Sequence, residues 1–171
     1  MNLADYIRDV PDFPIPGILF RDITPLLQDP GALREAVRRM CEPWEGRAVD
    51  LVAAMEARGF MFGAAMAIRL GAGFVPVRKA GKLPWRTRSV AYTLEYRDDV
   101  LHVHEDAVSA GQRVLVVDDV VATGGTAKAV VELMEQLGGV VVGVAFMIEL
   151  AFLRGREKLK HHPVHSLLVY E

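Results

Sequence analysis

The residues with the most chemical potential lie together between positions 118 and 126: Asp118, Asp119, Ala122, Thr123, Gly124, Gly125 and Thr126. They follow Val114-Leu115-Val116-Val117, a run that reads as a buried strand, and they precede a run with helical spacing. Amides at the start of a helix have no intrahelical acceptor, and the helix dipole adds positive potential there, so a strand, turn and helix in this order make an anion site. Gly124 and Gly125 let the backbone approach an anion closely, and Thr123 and Thr126 add hydroxyl donors. Two carboxylates just upstream would repel a polyphosphate laid along the loop. A ligand with neutral hydroxyls beside a single phosphate fits, and ribose 5-phosphate is such a ligand. Asp118 and Asp119 would accept hydrogen bonds from its 2′- and 3′-hydroxyls, and their charge would favour a sugar that becomes cationic as its C1′ bond breaks. Asp-Asp or Gly-Gly alone is ordinary loop punctuation; the specific signal is the whole string behind a buried strand. The sequence holds neither Gly-x-x-x-x-Gly-Lys-Ser/Thr nor Gly-x-Gly-x-x-Gly, so other phosphate-binding fingerprints are excluded.

Two further loops carry cations behind apolar runs: Glu56-Ala57-Arg58-Gly59-Phe60 and Arg78-Lys79-Ala80-Gly81-Lys82. In a doubly wound sheet, loops that follow different strands converge at the C-terminal strand ends. Arg58, Lys79 and Lys82 would then face a pyrophosphate leaving group, Arg58 as a bidentate fork and the lysines as point charges. Arg78 is a weaker candidate. Arg86, Arg88 and Arg97 read as solvated.

Strands must present these loops, and three short apolar runs supply them at 50–55, 73–77 and 113–117, with the β-branched content of a buried parallel sheet. Helical patterns over 60–70 and 126–137 follow the first and third runs, which is the alternation of a βαβ chain. Gly138-Gly139 stops the second helix before a fourth apolar run at 140–148, and 164–170 reads as a late strand. An opening amphipathic helix is expected from Leu3, Tyr6, Ile7 and Val10, followed by a Pro-rich bridge or flap at 11–16. A helix from about 30 to 44 aligns Leu33, Val37, Cys41 and Trp44 as a packing face. Residues 90–94 and 100–104 look like paired antiparallel strands, a hairpin excursion from the sheet. The expected class is α/β, a central mostly parallel sheet flanked by helices.

A chain of 171 residues is most simply one domain. Its formal net charge of −2 leaves no global positive field for nucleic acid, so any phosphate affinity must be local. A ligand-sensing DNA regulator would need a basic reading module, for which there is neither charge nor spare length. The single Cys41 excludes an intramolecular disulfide framework and fits a reducing compartment. Asp5, Arg8 and Asp9 are unlike a secretory start, and no apolar run approaches a membrane span, so a cytoplasmic location without membrane partners is expected. His161, His162 and His165 are interrupted by Pro163 and lack an accompanying Cys or carboxylate set, so no transition-metal site is expected there. His102 and His104 alternate along a predicted strand and read as solvated.

With these loops in view, the chain resembles the adenine phosphoribosyltransferases, of the type I phosphoribosyltransferase fold. The resemblance is carried by Asp12-Phe-Pro-Ile-Pro-Gly-Ile-Leu-Phe-Arg-Asp-Ile-Thr-Pro-Leu-Leu27, by residues 56–60, by Val75-Pro-Val-Arg-Lys-Ala-Gly-Lys-Leu-Pro84, by Tyr92-Thr-Leu-Glu-Tyr96 and by residues 114–126. It extends weakly through Gly155-Arg-Glu-Lys-Leu159 to the end. The resemblance implies a single phosphoribosyltransferase domain over 1–171, with a small base-binding hood from roughly 1–28 and 149–171 and a flexible hairpin loop. The implied reaction is adenine plus phosphoribosyl pyrophosphate giving AMP plus pyrophosphate, in purine salvage, by a homodimer. Another base specificity on the same catalytic frame is the alternative.

The resemblance also distributes roles. Asp118, Asp119, Ala122, Thr123, Gly124, Gly125 and Thr126 take the ribose 5-phosphate; Arg58, Lys79 and Lys82 take the pyrophosphate. Mg²⁺ is held mainly by the substrate and water rather than directly by protein, which suits an ion that dehydrates reluctantly. The base sits between Phe20 and Leu150, with backbone groups of Leu19 and Arg21 reading its edge; exchanging a 6-amino for a 6-oxo group would leave a buried partner unpaired. Glu95 manages the purine ring proton as N9 attacks C1′, and Tyr96 helps to cover the site. Read without the resemblance, Phe20 and Leu150 are core packing, and residues 92–96 are a half-exposed hairpin face. The chain departs from the pattern at Arg97, where glycine is common, and the lost backbone freedom bears on closure of the covering loop.

Overall fold

Leu3, Tyr6, Ile7 and Val10 do not share a helix. Residues Leu3–Tyr6 make one 3₁₀ turn, and β1 (Arg8–Pro11) then pairs antiparallel with β2 (Leu19–Asp22), Val10 opposite Phe20. The departure from expectation has a local cause. Ile7 and Val10 are β-branched, and Pro11 has no amide hydrogen to extend a helix, so the run pairs as a strand. The Pro-rich segment is the loop of this hairpin: Asp12 Oδ1 accepts from the Gly17 amide at 2.7 Å, and the Phe13 amide donates to the Ile18 carbonyl at 3.2 Å.

The computed structural model describes residues 1–93 and 98–171, in two compact units, Met1–Arg39 and Met40–Glu171. In the first, the hairpin leads to a short helix that periodicity does not reveal, α1 (Thr24–Gln28), and just before it Asp22 accepts from the Thr24 amide at 2.9 Å and hydroxyl at 2.6 Å. Helix α2 (Pro30–Cys41) begins with Pro30 behind Asp29, whose Oδ1 accepts from the Ala32 amide at 2.7 Å. Ala32, Ala36, Met40 and Cys41 are its buried positions, whereas Leu33 and Val37 are half-buried. Burial pushes the Cys41 thiol up to about 11, so it is an inert packing group.

The second unit is built on a seven-stranded sheet. In chain order its strands are β3 (Leu51–Met55), β4 (Gly73–Lys79), β5 (Thr87–Thr93), β6 (Asp98–His104), β7 (Arg113–Val121), β8 (Val140–Leu150) and β9 (Val164–Tyr170). Their spatial order is β5-β6-β4-β3-β7-β8-β9. The run from β4 to β9 is parallel, and β5 and β6 form the expected antiparallel excursion. Helix α3 (Arg58–Leu70) crosses from β3 to β4, with Phe60 edge-on to Phe74 at 5.6 Å. Helix α4 (Gly125–Gln136) crosses from β7 to β8, and its Ala127, Val130, Val131 and Met134 join Ala53, Val75, Val114 and Val116 in one core. Those strand residues sit at alternate positions, which marks a single sheet face. Among the described residues no helix is long and apolar enough to cross a membrane.

Candidate active site

β3 connects through α3 to β4 on one side, and the chain later returns to place β7 on its other side. Strand order therefore reverses between β3 and β7, and open α/β sheets collect ligands beyond the C-terminal strand ends at such a point. The sequence at those ends is Glu56-Ala57-Arg58 after β3, and for β7 Asp118-Asp119 near the end of the strand followed by residues 122–125.

The acid pair belongs to the strand rather than to the loop. β7 keeps its register with β8 through Val121, opposite Glu149, so backbone pairing runs through the two acids that interrupt the apolar side chains. Asp119 is 4% exposed, and its Oδ2 lies 2.7 Å from Arg58 Nε. Asp118 Oδ1 accepts from the Asp119 amide at 2.9 Å. A Cβ at position 59 would come within 2.8 Å of that oxygen, so Gly59 lets the first turn of α3 approach the acid. Burial, and after it the charge of Asp119, push the Asp118 carboxyl well above its ordinary value. Two neighbouring carboxylates repel, so a pair like this resists double ionisation until donors or cations reach it.

Beyond Val121 the chain turns through Ala122 and Thr123 to Gly124, which takes φ +78° immediately before α4. The amides of the first turn of α4 open toward the same end of the sheet as the two acids. A Cβ on Gly124 would run into the Gly155 carbonyl, and one on Gly155 would meet the Ala122 carbonyl and come within 2.8 Å of Gly124 N. The two glycine backbones therefore support each other, although nothing in the sequence pairs position 124 with position 155.

Around β4, Glu56 is a fixed anchor. Its Oε1 accepts from the Lys79 amide at 2.5 Å and its Oε2 from Arg78 Nη2 at 3.1 Å, while Arg78 Nη1 donates to the Lys82 carbonyl at 3.2 Å. Burial acts to raise the Glu56 carboxyl, but the Lys79 amide and Arg78 outweigh it and lower it. Arg78 is thus a strut of the loop that presents Lys79 and Lys82. Lys79 Nζ lies 3.4 Å from Asp99 Oδ2, and Lys82 is exposed.

Leu150 closes β8 and pairs with Tyr170 of β9. Leu19, Phe20 and Arg21 are consecutive in β2 of the first unit, where the Phe20 ring meets Phe13 at 5.1 Å and 72° and Arg21 pairs with Asp9. Glu95, Tyr96 and Arg97 lie outside the described residues. His102 is half-buried rather than solvated, with Nδ1 3.0 Å from Thr87 Oγ1, and His162 Nε2 lies 3.0 Å from Glu135 Oε1. Among the described residues no group of three or more His, Cys, Asp and Glu side chains is placed to hold a metal ion.

An acid pair and a helix-opening glycine turn at the switch point of a parallel sheet define an α/β protein suited to a sugar phosphate. Residues 32–167 match the phosphoribosyl transferase domain. The adenine phosphoribosyltransferase of Thermotoga petrophila is 58% identical over 170 residues, covering 99% of this chain and 100% of the relative. That of Thermobifida fusca is 58% identical over 162 residues, covering 95% and 92%. Among solved structures, the adenine phosphoribosyltransferase of Thermoanaerobacter pseudethanolicus superposes with a TM-score of 0.95 at 52% identity, covering 99% of this chain and 100% of that one. The Saccharomyces cerevisiae enzyme, crystallised with an imino-altritol bisphosphate and adenine, gives 0.91 at 41% identity, with 96% of each chain covered. The chain belongs to the phosphoribosyltransferase family, with the type I fold, and within it to the adenine phosphoribosyltransferases.

Proposed function

We propose that this chain transfers the phosphoribosyl group of phosphoribosyl pyrophosphate to adenine, releasing AMP and pyrophosphate in purine salvage. The observation that carries the proposal is the juxtaposition at the switch point: buried Asp119 against Arg58, with Asp118 beside it and the glycine turn of α4 next in the chain. In this reaction N9 of the base forms a bond to C1′ as the bond from C1′ to the pyrophosphate oxygen breaks, and the ring proton must leave the base. Residues 122–126 receive the 5′-phosphate through first-turn amides and threonine hydroxyls. Asp118 and Asp119 accept the ribose hydroxyls and oppose the positive charge that develops on the sugar.

Arg58, Lys79 and Lys82 are assigned to the pyrophosphate, where Arg58 exchanges a carboxylate partner for a phosphate one. Glu95 is assigned to the ring proton. Phe20 and Leu150 are assigned to the faces of the base, and backbone groups of Leu19 and Arg21 to its edge; residues 1–28 and 149–171 form the base hood of a single domain. Asp118 and Asp119 have hard carboxylate oxygens that would accept hydrogen bonds from the water shell of a substrate-held Mg²⁺, and such an ion would supply charge neutralisation on the leaving pyrophosphate. We assign the protein to the cytoplasm as a homodimer.

Consumption of labelled adenine with phosphoribosyl pyrophosphate, with and without Mg²⁺ and in parallel with hypoxanthine, guanine and xanthine, tests the proposal. AMP formation that requires Mg²⁺ and favours adenine is expected. A preference for a 6-oxo purine rejects the base assignment.

A further inference from the structure

Glu149 is 6% exposed and lies opposite Val121, the last strand residue before the glycine turn. Its carboxylate takes Arg156 Nε at 3.0 and 3.2 Å, Arg156 Nη2 at 2.5 Å and Ser166 Oγ at 2.5 Å. Arg156 also donates from Nη1 to the Val164 carbonyl at 3.0 Å and from Nη2 to Ser166 Oγ at 3.2 Å. These bonds fasten the 3₁₀ turn Gly155–Leu159 to the ends of β8 and β9. Arg156 holds the Glu149 carboxyl below its ordinary value. The residue preceding Arg156 is Gly155, whose backbone lies against Ala122 and Gly124. Ion pairs withdrawn from water are often no more stabilising than apolar side chains of the same shape. A clamp that is a weak source of stability but fixes one backbone contact beside a binding loop is a positioning device.

We propose that Glu149, Arg156 and Ser166 are positioning residues for the phosphate-binding turn, acting through Gly155; the inference rests on the assignment of residues 122–126 to the 5′-phosphate. The clamp sets the height of the Gly155 peptide, and that peptide sets where the Gly124 and Gly125 amides point. Loss of the clamp therefore weakens binding of the phosphate and leaves recognition of the rest of the nucleoside in place.

AMP and adenosine differ only by the phosphate, so their dissociation constants, measured by calorimetry or competition, isolate the effect. Glu149→Gln, Arg156→Met and Gly155→Ala are each expected to weaken AMP binding by about 10- to 100-fold, the usual range for a supporting partner, while adenosine binding stays close to wild type. KM for phosphoribosyl pyrophosphate should rise more than KM for adenine, and Arg156→Lys should restore part of the loss. Should Arg156→Met not fold, the nearly isosteric Glu149→Gln carries the test. Folded variants that bind AMP as wild type does, or that lose AMP and adenosine equally, overturn the proposal. A wild-type protein that binds AMP no better than adenosine removes the phosphate assignment itself, and the clamp proposal with it.

Discussion

At the scale of residues, Asp118 and Arg58 carry the electrostatics of the proposed site. The folded-state value of the Asp118 carboxyl is raised, so the folded chain keeps a proton that the unfolded chain has released. Its contribution is most favourable at acid pH and is lost as pH rises through the raised value. Asp118→Asn, which keeps an acceptor for the Asp119 amide, should therefore stabilise the protein near neutral pH by about 1 kcal/mol, while turnover falls by about 10²-fold or more. Melting scans across pH check the sign: wild type should weaken relative to the variant as pH rises, and parallel curves would contradict a raised carboxyl. Arg58 is half-exposed while Asp119 is buried, so the pair is open on the side a ligand can reach. Hydrogen bonds to charged groups contribute about 1.5–3 kcal/mol, so Arg58→Ala should raise KM for phosphoribosyl pyrophosphate by roughly 10- to 100-fold. AMP, which lacks the pyrophosphate, should lose less affinity, and equal losses would take Arg58 out of that role.

At the scale of elements, the glycine turn between β7 and α4 is the narrowest part of the design. Gly124→Ala meets both a positive φ and the Gly155 backbone. A cost of about 1–3 kcal/mol in stability is expected, together with loss of AMP affinity measured on the folded fraction; a variant with normal melting and normal AMP binding would show that the turn has slack. The same region shows why legibility differs between elements. Helical periodicity and the glycine stop made α4 readable to within a residue, because both are local properties. The end of β7 was not readable, because two acids interrupt the apolar run after Val117 while the backbone ladder to β8 continues past them through Val120 and Val121. The opening helix failed for the complementary reason: Leu3, Tyr6, Ile7 and Val10 have helical spacing, yet Pro11 and pairing to β2 make Arg8–Pro11 a strand. Tertiary pairing outweighs a weak local preference.

Over the whole molecule, the carboxylates set the response to acid. Arg38, followed by Arg39, holds Glu35 down to about 2. Asp50 is lowered by Arg113, whose amide, Nε and Nη2 donate to it at 2.7, 2.8 and 2.7 Å. Glu56 and Glu149 are lowered as well, whereas Asp118 is raised. A lowered carboxyl contributes stability above its unfolded value and loses it as pH falls through the folded one, and Glu35, Asp50, Glu56 and Glu149 all act in that sense. The melting temperature should therefore fall progressively as pH drops below the ordinary carboxylate value of 4.5 toward 2, and a flat profile there would contradict these pairings. Because the net charge is only −2, the proposed affinity for a polyphosphate would have to come from a few placed cations rather than from a global field.

The sequence by itself determined the α/β class, the alternation of strands and helices, and the acid pair followed by a helix-opening glycine turn, because each is written in neighbouring residues through side-chain period and helix-start chemistry. Only the tertiary structure decided that Arg58 meets Asp119, that Gly155 supports Gly124, and that Arg156 and Ser166 close on Glu149. Arg58 and Asp119, and Gly124 and Gly155, lie far apart along the chain and strand order brings them together, whereas Arg156 and Ser166 return to Glu149 through the turn and strand that follow it. Backbone hydrogen bonding that sets this order is nearly blind to side-chain identity, so no local pattern announces which distant residues will share the end of the sheet.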